Sequence, residues 1–112
     1  MVKKYIPERG DFIWLDFTPQ KGREQNKTRP AIVISPKIYN KLSSLVLVCP
    51  VTSKKKGWGF EIDVSENEKI KGVILADQIK SLDYKARNAK FIIKSPDSVI
   101  NDTLEKIQTL LD

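Results

Sequence analysis

The polar segment Gly22 to Arg29 runs directly into an apolar segment, and the residue at the junction is suited to binding phosphate. Pro30 follows Arg29, and a proline fixes its own backbone and biases the preceding residue towards an extended conformation. Arg29 is therefore predicted at the start of a strand, where rigid backbone holds its side chain. Its planar guanidinium presents a fork of donors that matches a phosphate group.

A second apolar segment, residues 45–51, ends in the hydroxyl residues Thr52 and Ser53 and then in three lysines at 54–56. The two strand ends would together supply a guanidinium, a hydroxyl and a cluster of positive charge. The 112 residues include no histidine, which excludes the side chain that most often serves in acid–base catalysis.

Cleavage of RNA is a reaction for which such a set would suffice. Each ribose carries its own nucleophile, the 2′-OH, so an enzyme mainly has to orient that group and stabilise charge on the phosphorane oxygens. Arg29 could donate two hydrogen bonds and Thr52 one more, each typically worth ~3 kcal/mol when well placed. Because arginine stays protonated, the carboxylate of Glu24 is the candidate proton acceptor.

Each of these residues also has a purely structural interpretation. Arg29 could form an ion pair with Glu24 or Asp16, and Thr52 could be an ordinary hydroxyl at a strand end. The lysines 54–56 could form a solvated turn, although lysines beside a site also add affinity for phosphate. On these residues alone the sequence indicates a protein that binds RNA or DNA, with or without nuclease activity.

Further residues are candidates for contacts with RNA. Trp58 lies between glycines and next to the lysines, so it is expected to be exposed and able to stack on a base, whereas Trp14 and Phe60 are expected in the core. A polar segment from residue 77 to 81 offers donors and acceptors for base edges, although an exposed face of a sheet would explain it equally well. The full set of candidate RNA-binding residues is Gln25, Asn26, Lys27, Lys54, Lys56, Trp58, Asp77, Gln78, Lys80 and Ser81.

The charge of the chain favours an anionic partner. The net charge is +6, and residues 95–112 contain four acidic residues and one lysine, which leaves +9 on residues 1–94. A basic body of this kind suits nucleic acid or an acidic protein tail, although a lysine-rich soluble surface has the same composition.

Cys49 is the only cysteine, and it lies within an apolar run, so a buried structural thiol is expected rather than a nucleophile. One cysteine and no histidine also exclude a zinc site, and no metal or other cofactor is predicted. The sequence has no apolar run long enough for a membrane span and no apparent signal peptide, which predicts a cytoplasmic protein without a membrane partner.

The length predicts a single domain over residues 1–112, of mainly β class with helices (α+β). Apolar periodicity and breakers predict strands over 11–17, 29–35, 45–52, 60–64, 72–83 and 90–94, with a long loop at 18–28 and a short helix at 36–42. A terminal helix is predicted from Ser95 as the cap and Pro96 in the first position. Short strands and one terminal helix indicate a small, curled antiparallel β-barrel that the helix packs against.

Several segments together resemble one known family. They are Gly10-Asp11 at the start of the first strand, Arg29-Pro30-Ala31, Pro50-Val51-Thr52, and Asp77-Gln78-Ile79-Lys80-Ser81. In this combination the sequence closely resembles the MazF endoribonucleases, which are toxins of the MazF/PemK/Kid type in bacterial toxin–antitoxin systems. The resemblance extends over nearly the whole chain.

The resemblance implies an SH3-like barrel that forms a homodimer and cleaves single-stranded RNA, including mRNA, without a metal ion. The products would carry 2′,3′-cyclic phosphate and 5′-hydroxyl ends, and cleavage would inhibit translation and growth. By the same resemblance Arg29 and Thr52 are catalytic, Glu24 lies in the active-site loop, and Asp77 to Ser81 lie near the RNA. The implied partner is a MazE-like antitoxin with an acidic, extended C-terminal segment, in an assembly that could be a heterohexamer.

Two alternatives remain open at this point. One is a non-catalytic poison of the CcdB type, which resembles this fold but traps DNA gyrase by protein contact; the presence of Arg29 and Thr52 argues against it. The other is a nucleic-acid-binding module without activity, which would show steeply salt-dependent affinity and no cleavage product. The sequence that is cut is not predicted, because the segment at 26–28 varies within the family and the lysines 54–56 are more basic than is typical.

Overall fold

The structure is a computed structural model that describes residues 4–17, 28–64 and 69–112. Within these ranges the chain forms seven strands and two helices. In chain order they are β1 (Asp11–Asp16), β2 (Thr28–Val33), α1 (Lys37–Ser43), β3 (Leu45–Thr52), β4 (Glu61–Asp63), β5 (Val73–Leu75), β6 (Lys80–Asp83), β7 (Lys90–Lys94) and α2 (Asp97–Leu111).

All strand pairs are antiparallel, and the order across the sheet is β4-β5-β3-β2-β1-β7, with β6 also paired to β3. The predicted class, mainly antiparallel β structure with a C-terminal helix, is confirmed. Among the described strands, however, β4 and β7 stand at opposite ends of this order and do not pair, so the predicted barrel is not closed. Closure would need strands long enough to bring those edges together, and β4 has only three residues.

The three central strands are buried on both faces. Phe12, Ile32 and Cys49 are fully buried on the face that packs against α2, whereas Ile13 and Val33 are fully buried on the other face. Because side chains alternate along a strand, apolar residues at almost every position of β1, β2 and β3 produce this arrangement. The central strands therefore form a rigid support for the residues at their ends.

Both helices begin later than predicted. The residue before α1 is Pro36 and the residue before α2 is Pro96; each has extended backbone, and neither helix has a side-chain cap. The prediction that Ser95 caps α2 is wrong, because its hydroxyl contacts the carbonyl oxygen of Pro96 instead. Ile100 and Ile107 of α2 are buried against the sheet, whereas Leu111 is exposed. No helix in the described part of the chain is both long and apolar enough to cross a membrane.

The predicted single strand over 72–83 is two strands. Val73 and Ile74 of β5 pair with the end of β3, whereas all four residues of β6 pair with its beginning, on the same edge. The two registers differ by three positions, so residues 76–79 leave the ladder between them. A backbone hydrogen bond from Gln78 to the carbonyl of Leu75, at 3.1 Å, closes the turn that takes up these residues.

Candidate active site

A cleft of about 640 Å³ opens where β2 begins and where β3 and β5 end. Ten described residues line it: Arg29, Thr52, Lys54, Lys56, Gly57, Trp58, Glu61, Leu75, Asp77 and Gln78. Seven of them are predicted site residues, and they come from separate parts of the sequence. The cleft is therefore the place where the fold brings together the predicted phosphate-binding groups.

Arg29 and Thr52 line the same cleft. Ala31 of β2 pairs with Pro50 of β3 at the end of their ladder, and the same register, continued by two positions, would set Arg29 opposite Thr52. Directly opposed residues of an antiparallel pair extend from the same face of the sheet. On the other side of β3, Thr52 pairs with Val73, and Leu75 of the same strand pairs with Glu61. The registers alone thus align these side chains on one face.

The guanidinium of Arg29 has no ion pair or side-chain hydrogen bond to any residue in the described ranges. The alternative in which Arg29 pairs with Asp16 is wrong, because the two carboxylate oxygens of Asp16 accept hydrogen bonds from Thr28 and Asn88, at 2.7 and 2.8 Å. Arg29 is the second residue of β2 and is exposed, so its donor fork is available to a ligand. The predicted base, Glu24, lies outside the described residues.

Thr52 is half-buried, and its hydroxyl oxygen accepts a hydrogen bond from the backbone N–H of Lys54 at 3.2 Å. Its hydroxyl proton is left to donate elsewhere. Gly72 packs closely behind it: its φ is +114°, and a Cβ on it would lie 2.1 Å from the carbonyl oxygen of Thr52. Only glycine allows this approach, so Gly72 fixes the backbone that carries the hydroxyl.

Glu61 holds the lysine-rich turn in place. Its carboxylate accepts hydrogen bonds from the backbone N–H groups of Lys56, at 3.0 Å and 3.2 Å, and Gly57, at 2.9 Å. The ammonium of Lys55 pairs with Asp63 at 3.0 Å, whereas Lys54 and Lys56 line the cleft. Glu61 is not among the predicted site residues, and its only signal in the sequence is its place as an acidic residue in the alternating pattern after the glycines.

Trp58 is 56% exposed, as predicted. Its indole N–H donates to a carboxylate oxygen of Asp77 at 2.9 Å, and its ring lies 5.7 Å from that of Phe60. These contacts fix the indole at the rim of the cleft. Phe60 is half-buried against the core, whereas Trp14, predicted in the core, is 39% exposed.

Other predicted contacts do not gather in the cleft. Lys80 and Ser81 are exposed on β6, where they pair with Val48 and Leu47, and they do not line it. The turn at 76–79 separates them from Asp77 and Gln78, and this explains why one motif divides between two places. The predicted contacts of the loop lie outside the described residues; they are Gln25, Asn26 and Lys27.

The described lining of the cleft has a net positive charge, because three cations face two carboxylates. Both carboxylates already accept hydrogen bonds from protein N–H groups, Glu61 from the backbone and Asp77 from Trp58. Cys49 is fully buried away from the cleft, and burial raises the pKa of its thiol to about 12. The thiol is therefore protonated at neutral pH, which agrees with a structural role.

Comparison with known proteins agrees with this geometry. Residues 8–111 match the family described as PemK-like, MazF-like toxin of type II toxin-antitoxin system. The endoribonuclease toxin MazF of Escherichia coli K12 is 48% identical over 89 residues, which cover 80% of this chain and 79% of that protein. The endoribonuclease toxin ChpB of the same strain is 34% identical over 118 residues and the full length of both chains.

A solved structure has the same fold. The crystal structure of MazE-MazF from Deinococcus radiodurans contains a chain that superposes with a TM-score of 0.90 at 42% identity, covering 96% of this chain and 97% of that one. The family match spans most of the sequence, and the relatives at 34% and 48% identity cover well over two thirds of it. The chain therefore belongs to the PemK-like, MazF-like toxins of type II toxin–antitoxin systems, as a toxin of the MazF endoribonuclease type.

Proposed function

We propose that this protein cleaves single-stranded RNA at short, specific sequences in the cleft, by attack of the 2′-OH and without a metal ion. The observation that carries the proposal is that Arg29 and Thr52 line the same cleft and that the Arg29 guanidinium is paired with no described residue. An unpaired guanidinium beside a hydroxyl donor is a suitable arrangement for a phosphate whose negative charge increases during the reaction.

In the proposed reaction the 2′-oxygen bonds to phosphorus and the bond from phosphorus to the 5′-oxygen breaks. Arg29 and the Thr52 hydroxyl donate hydrogen bonds to the non-bridging oxygens. The 2′-OH proton passes to the carboxylate of Glu24, and the 5′-oxygen takes up a proton from water as it leaves. The products are a 2′,3′-cyclic phosphate and a 5′-hydroxyl, and cleavage of mRNA would stop translation and growth.

The rest of the cleft would bind the RNA on either side of the cut. Lys54 and Lys56 supply positive charge for flanking phosphates, and the exposed face of Trp58 offers a surface on which a base can stack. Asp77 keeps one carboxylate oxygen that the indole does not use, and Gln78 beside it offers both a donor and an acceptor. These polar groups suit base edges, which is why we expect selectivity for sequence.

The same positive cleft would accept the antitoxin. We expect a MazE-like partner whose acidic, extended C-terminal segment occupies it, because such a segment presents carboxylates in place of phosphates. Crystal structures of MazE-MazF from Deinococcus radiodurans are among the structures that share this fold. We further propose that the toxin is a homodimer that acts in the cytoplasm and can join a larger toxin–antitoxin assembly, such as a heterohexamer.

The test is incubation of the purified protein with a long single-stranded RNA in excess EDTA, followed by mapping of the fragment ends. We expect discrete fragments at a recurring short sequence. Intact RNA with a folded protein would contradict the proposal and would favour a gyrase poison of the CcdB type. RNA that stays intact but migrates more slowly in a gel with the protein, with binding that weakens steeply as salt increases, would indicate a binding module.

A further inference from the structure

Four residues outside the cleft tie together the chain segments next to Arg29. Asp16 ends β1, Thr28 begins β2, and Arg87 and Asn88 belong to the connection between β6 and β7. These four residues are called the clasp below. None of them lines the cleft, and none has a role in the reaction proposed above.

Side chains make the first half of the clasp. The carboxylate of Asp16 accepts a hydrogen bond from the Thr28 hydroxyl at 2.7 Å and another from the Asn88 side-chain amide at 2.8 Å. Hydrogen bonds from Asn88 and Thr28 hold the pKa of the Asp16 carboxyl below its usual value, with smaller contributions from the charges of Arg87 and Lys90. Asp16 is therefore ionised at neutral pH, and both of its oxygens can accept.

Hydrogen bonds to and from the backbone of β1 make the second half of the clasp. The Arg87 guanidinium donates to the carbonyl oxygens of Asp16, at 3.1 Å, and Phe17, at 2.9 Å. In return the Asp16 N–H donates to the carbonyl of Arg87 at 3.0 Å. The end of β1 is thus joined to the β6–β7 connection in both directions, in addition to its pairing with β2.

The position of the clasp explains what it could do. Asp16 and Thr28 form the last pair of the β1–β2 ladder, and the next pair inward is Leu15 with Arg29. Strand ends fray unless other contacts hold them. The backbone of Arg29 is only one residue from the end of this ladder, so fraying there would move it. A guanidinium that must meet a phosphate within a fraction of an ångström depends on that backbone.

We propose that the clasp of Asp16, Thr28, Arg87 and Asn88 positions Arg29 for catalysis by pinning the end of the β1–β2 ladder. These are positioning residues, since none of them lines the cleft. The proposal rests on the proposed RNA cleavage for its effect on rate, but the pinning itself is measurable in the protein alone.

Matched substitutions separate the effects of the Thr28 hydroxyl and the Asn88 amide from the general effects of substitution. Thr28→Val removes the hydroxyl and keeps a β-branched side chain, whereas Thr28→Ser keeps the hydroxyl. Asn88→Gly removes the amide at a residue whose φ is +57°, a conformation that glycine adopts without strain. Thr109→Val, at an exposed hydroxyl in α2 that bonds within its own helix, controls for loss of a surface hydroxyl.

For Thr28→Val and Asn88→Gly we expect kcat to fall about 10-fold while KM changes little, with Thr28→Ser and Thr109→Val close to the wild type. Binding of an RNA with 2′-deoxyribose at the cut position should be unchanged. Amide hydrogen exchange should accelerate at residues 15–17, 28 and 29 but not in β3. A structural role alone would instead lower the unfolding midpoint without this separation of kcat from KM.

Two results would overturn the proposal. One is an active wild type whose Thr28→Val and Asn88→Gly variants have unchanged kcat. The other is unchanged amide exchange at residues 28 and 29 in both variants. If the wild type does not cut RNA, the proposed function fails, and the exchange measurement alone decides whether the clasp pins the ladder. If Thr28→Val does not fold, Asn88→Gly, at an exposed connection, provides the same comparison.

Discussion

The side chain of Arg29, like the ammonium groups of Lys54 and Lys56, has no partner among the described residues, and of these three cations only Arg29 presents a planar fork of donors. Lys55 pairs with Asp63, and the carboxylates of Glu61 and Asp77 are held by N–H donors. A cation left unpaired beside a hydroxyl in a cleft is a feature of ligand-binding sites more than of structural networks. This is why the proposed reaction assigns charge stabilisation to Arg29.

Arg29→Ala should abolish cleavage and leave the fold intact, because an exposed side chain near a strand end contributes little to the core. Loss of one well-placed donor typically costs about 100-fold in kcat, so loss of both donors of the fork should bring cleavage below detection. Arg29→Lys should be intermediate, since it keeps the charge without the planar fork. Cleavage assays and circular dichroism test this together, and an unfolded Arg29→Ala variant would contradict a purely chemical role.

At the scale of elements, β4 supports the turn that carries Lys54 and Lys56. We expect Glu61→Gln to raise KM about 10-fold, with a smaller effect on kcat, because the amide nitrogen replaces a carboxylate oxygen that accepts from the Lys56 N–H and leaves two donors facing each other. Asp63→Asn is the matched control, since Asp63 is in the same strand but binds Lys55 outside the cleft. Equal KM values for the two variants, measured by steady-state cleavage, would contradict the assigned role of Glu61.

Gly72 lies just before β5 and packs against the backbone of Thr52 on the other side of the cleft. Gly72→Ala should destabilise the protein by about 2 kcal/mol or more and reduce cleavage, because φ is positive there and the new Cβ would meet the carbonyl of Thr52. Gly59→Ala, whose Cβ would meet nothing within 4 Å, should have little effect. Thermal unfolding measures both, and a stable, active Gly72→Ala variant would show that the close packing is unimportant.

Local sequence predicted those parts of the site that lie next to apolar strands. Arg29 and Thr52 follow from breakers and hydrophobic runs, which is why β2 and β3 were predicted within two residues of their observed ends. Glu61 depends on N–H groups brought to it by a turn, and no local pattern indicates such a contact. Lys80 and Ser81 were grouped with Asp77 and Gln78 because alternation alone does not reveal the shift of register at 76–79.

At the scale of the whole molecule, the segment that precedes β1 is joined to β7 through one buried carboxylate. Asp11 accepts hydrogen bonds from the Tyr5 hydroxyl at 2.5 Å and the Glu8 backbone at 3.1 Å, and it pairs with Lys94 at 2.6 Å. Burial, together with the hydrogen bond to Asp11, raises the pKa of Tyr5 above its usual range. Burial alone would lower the pKa of Lys94, but its hydrogen bonds to Asp11 and Glu8 outweigh that effect and raise it.

Both groups stabilise the fold in their protonated forms. Their contribution is complete below the unfolded pKa values, near 10, and is lost as pH rises through the higher folded values. Unfolding in denaturant between about pH 8 and pH 12 should therefore show stability that falls above pH 10. Tyr5→Phe should reduce that slope, whereas Tyr39→Phe, at an exposed tyrosine in α1, should not. Curves of unfolding free energy against pH that run parallel for the wild type and Tyr5→Phe would contradict the role assigned to Tyr5.

The most direct test of the central claim, attack by the 2′-OH in this cleft, uses one substituted RNA. Once a cut site is mapped, a single 2′-deoxyribonucleotide is placed on the 5′ side of the scissile phosphate, and cleavage is assayed in EDTA with end-group analysis. We expect cleavage at that site to disappear while binding persists, and neighbouring unmodified sites to yield 5′-hydroxyl ends. Continued cleavage at the substituted site, with a 5′-phosphate product, would contradict the mechanism.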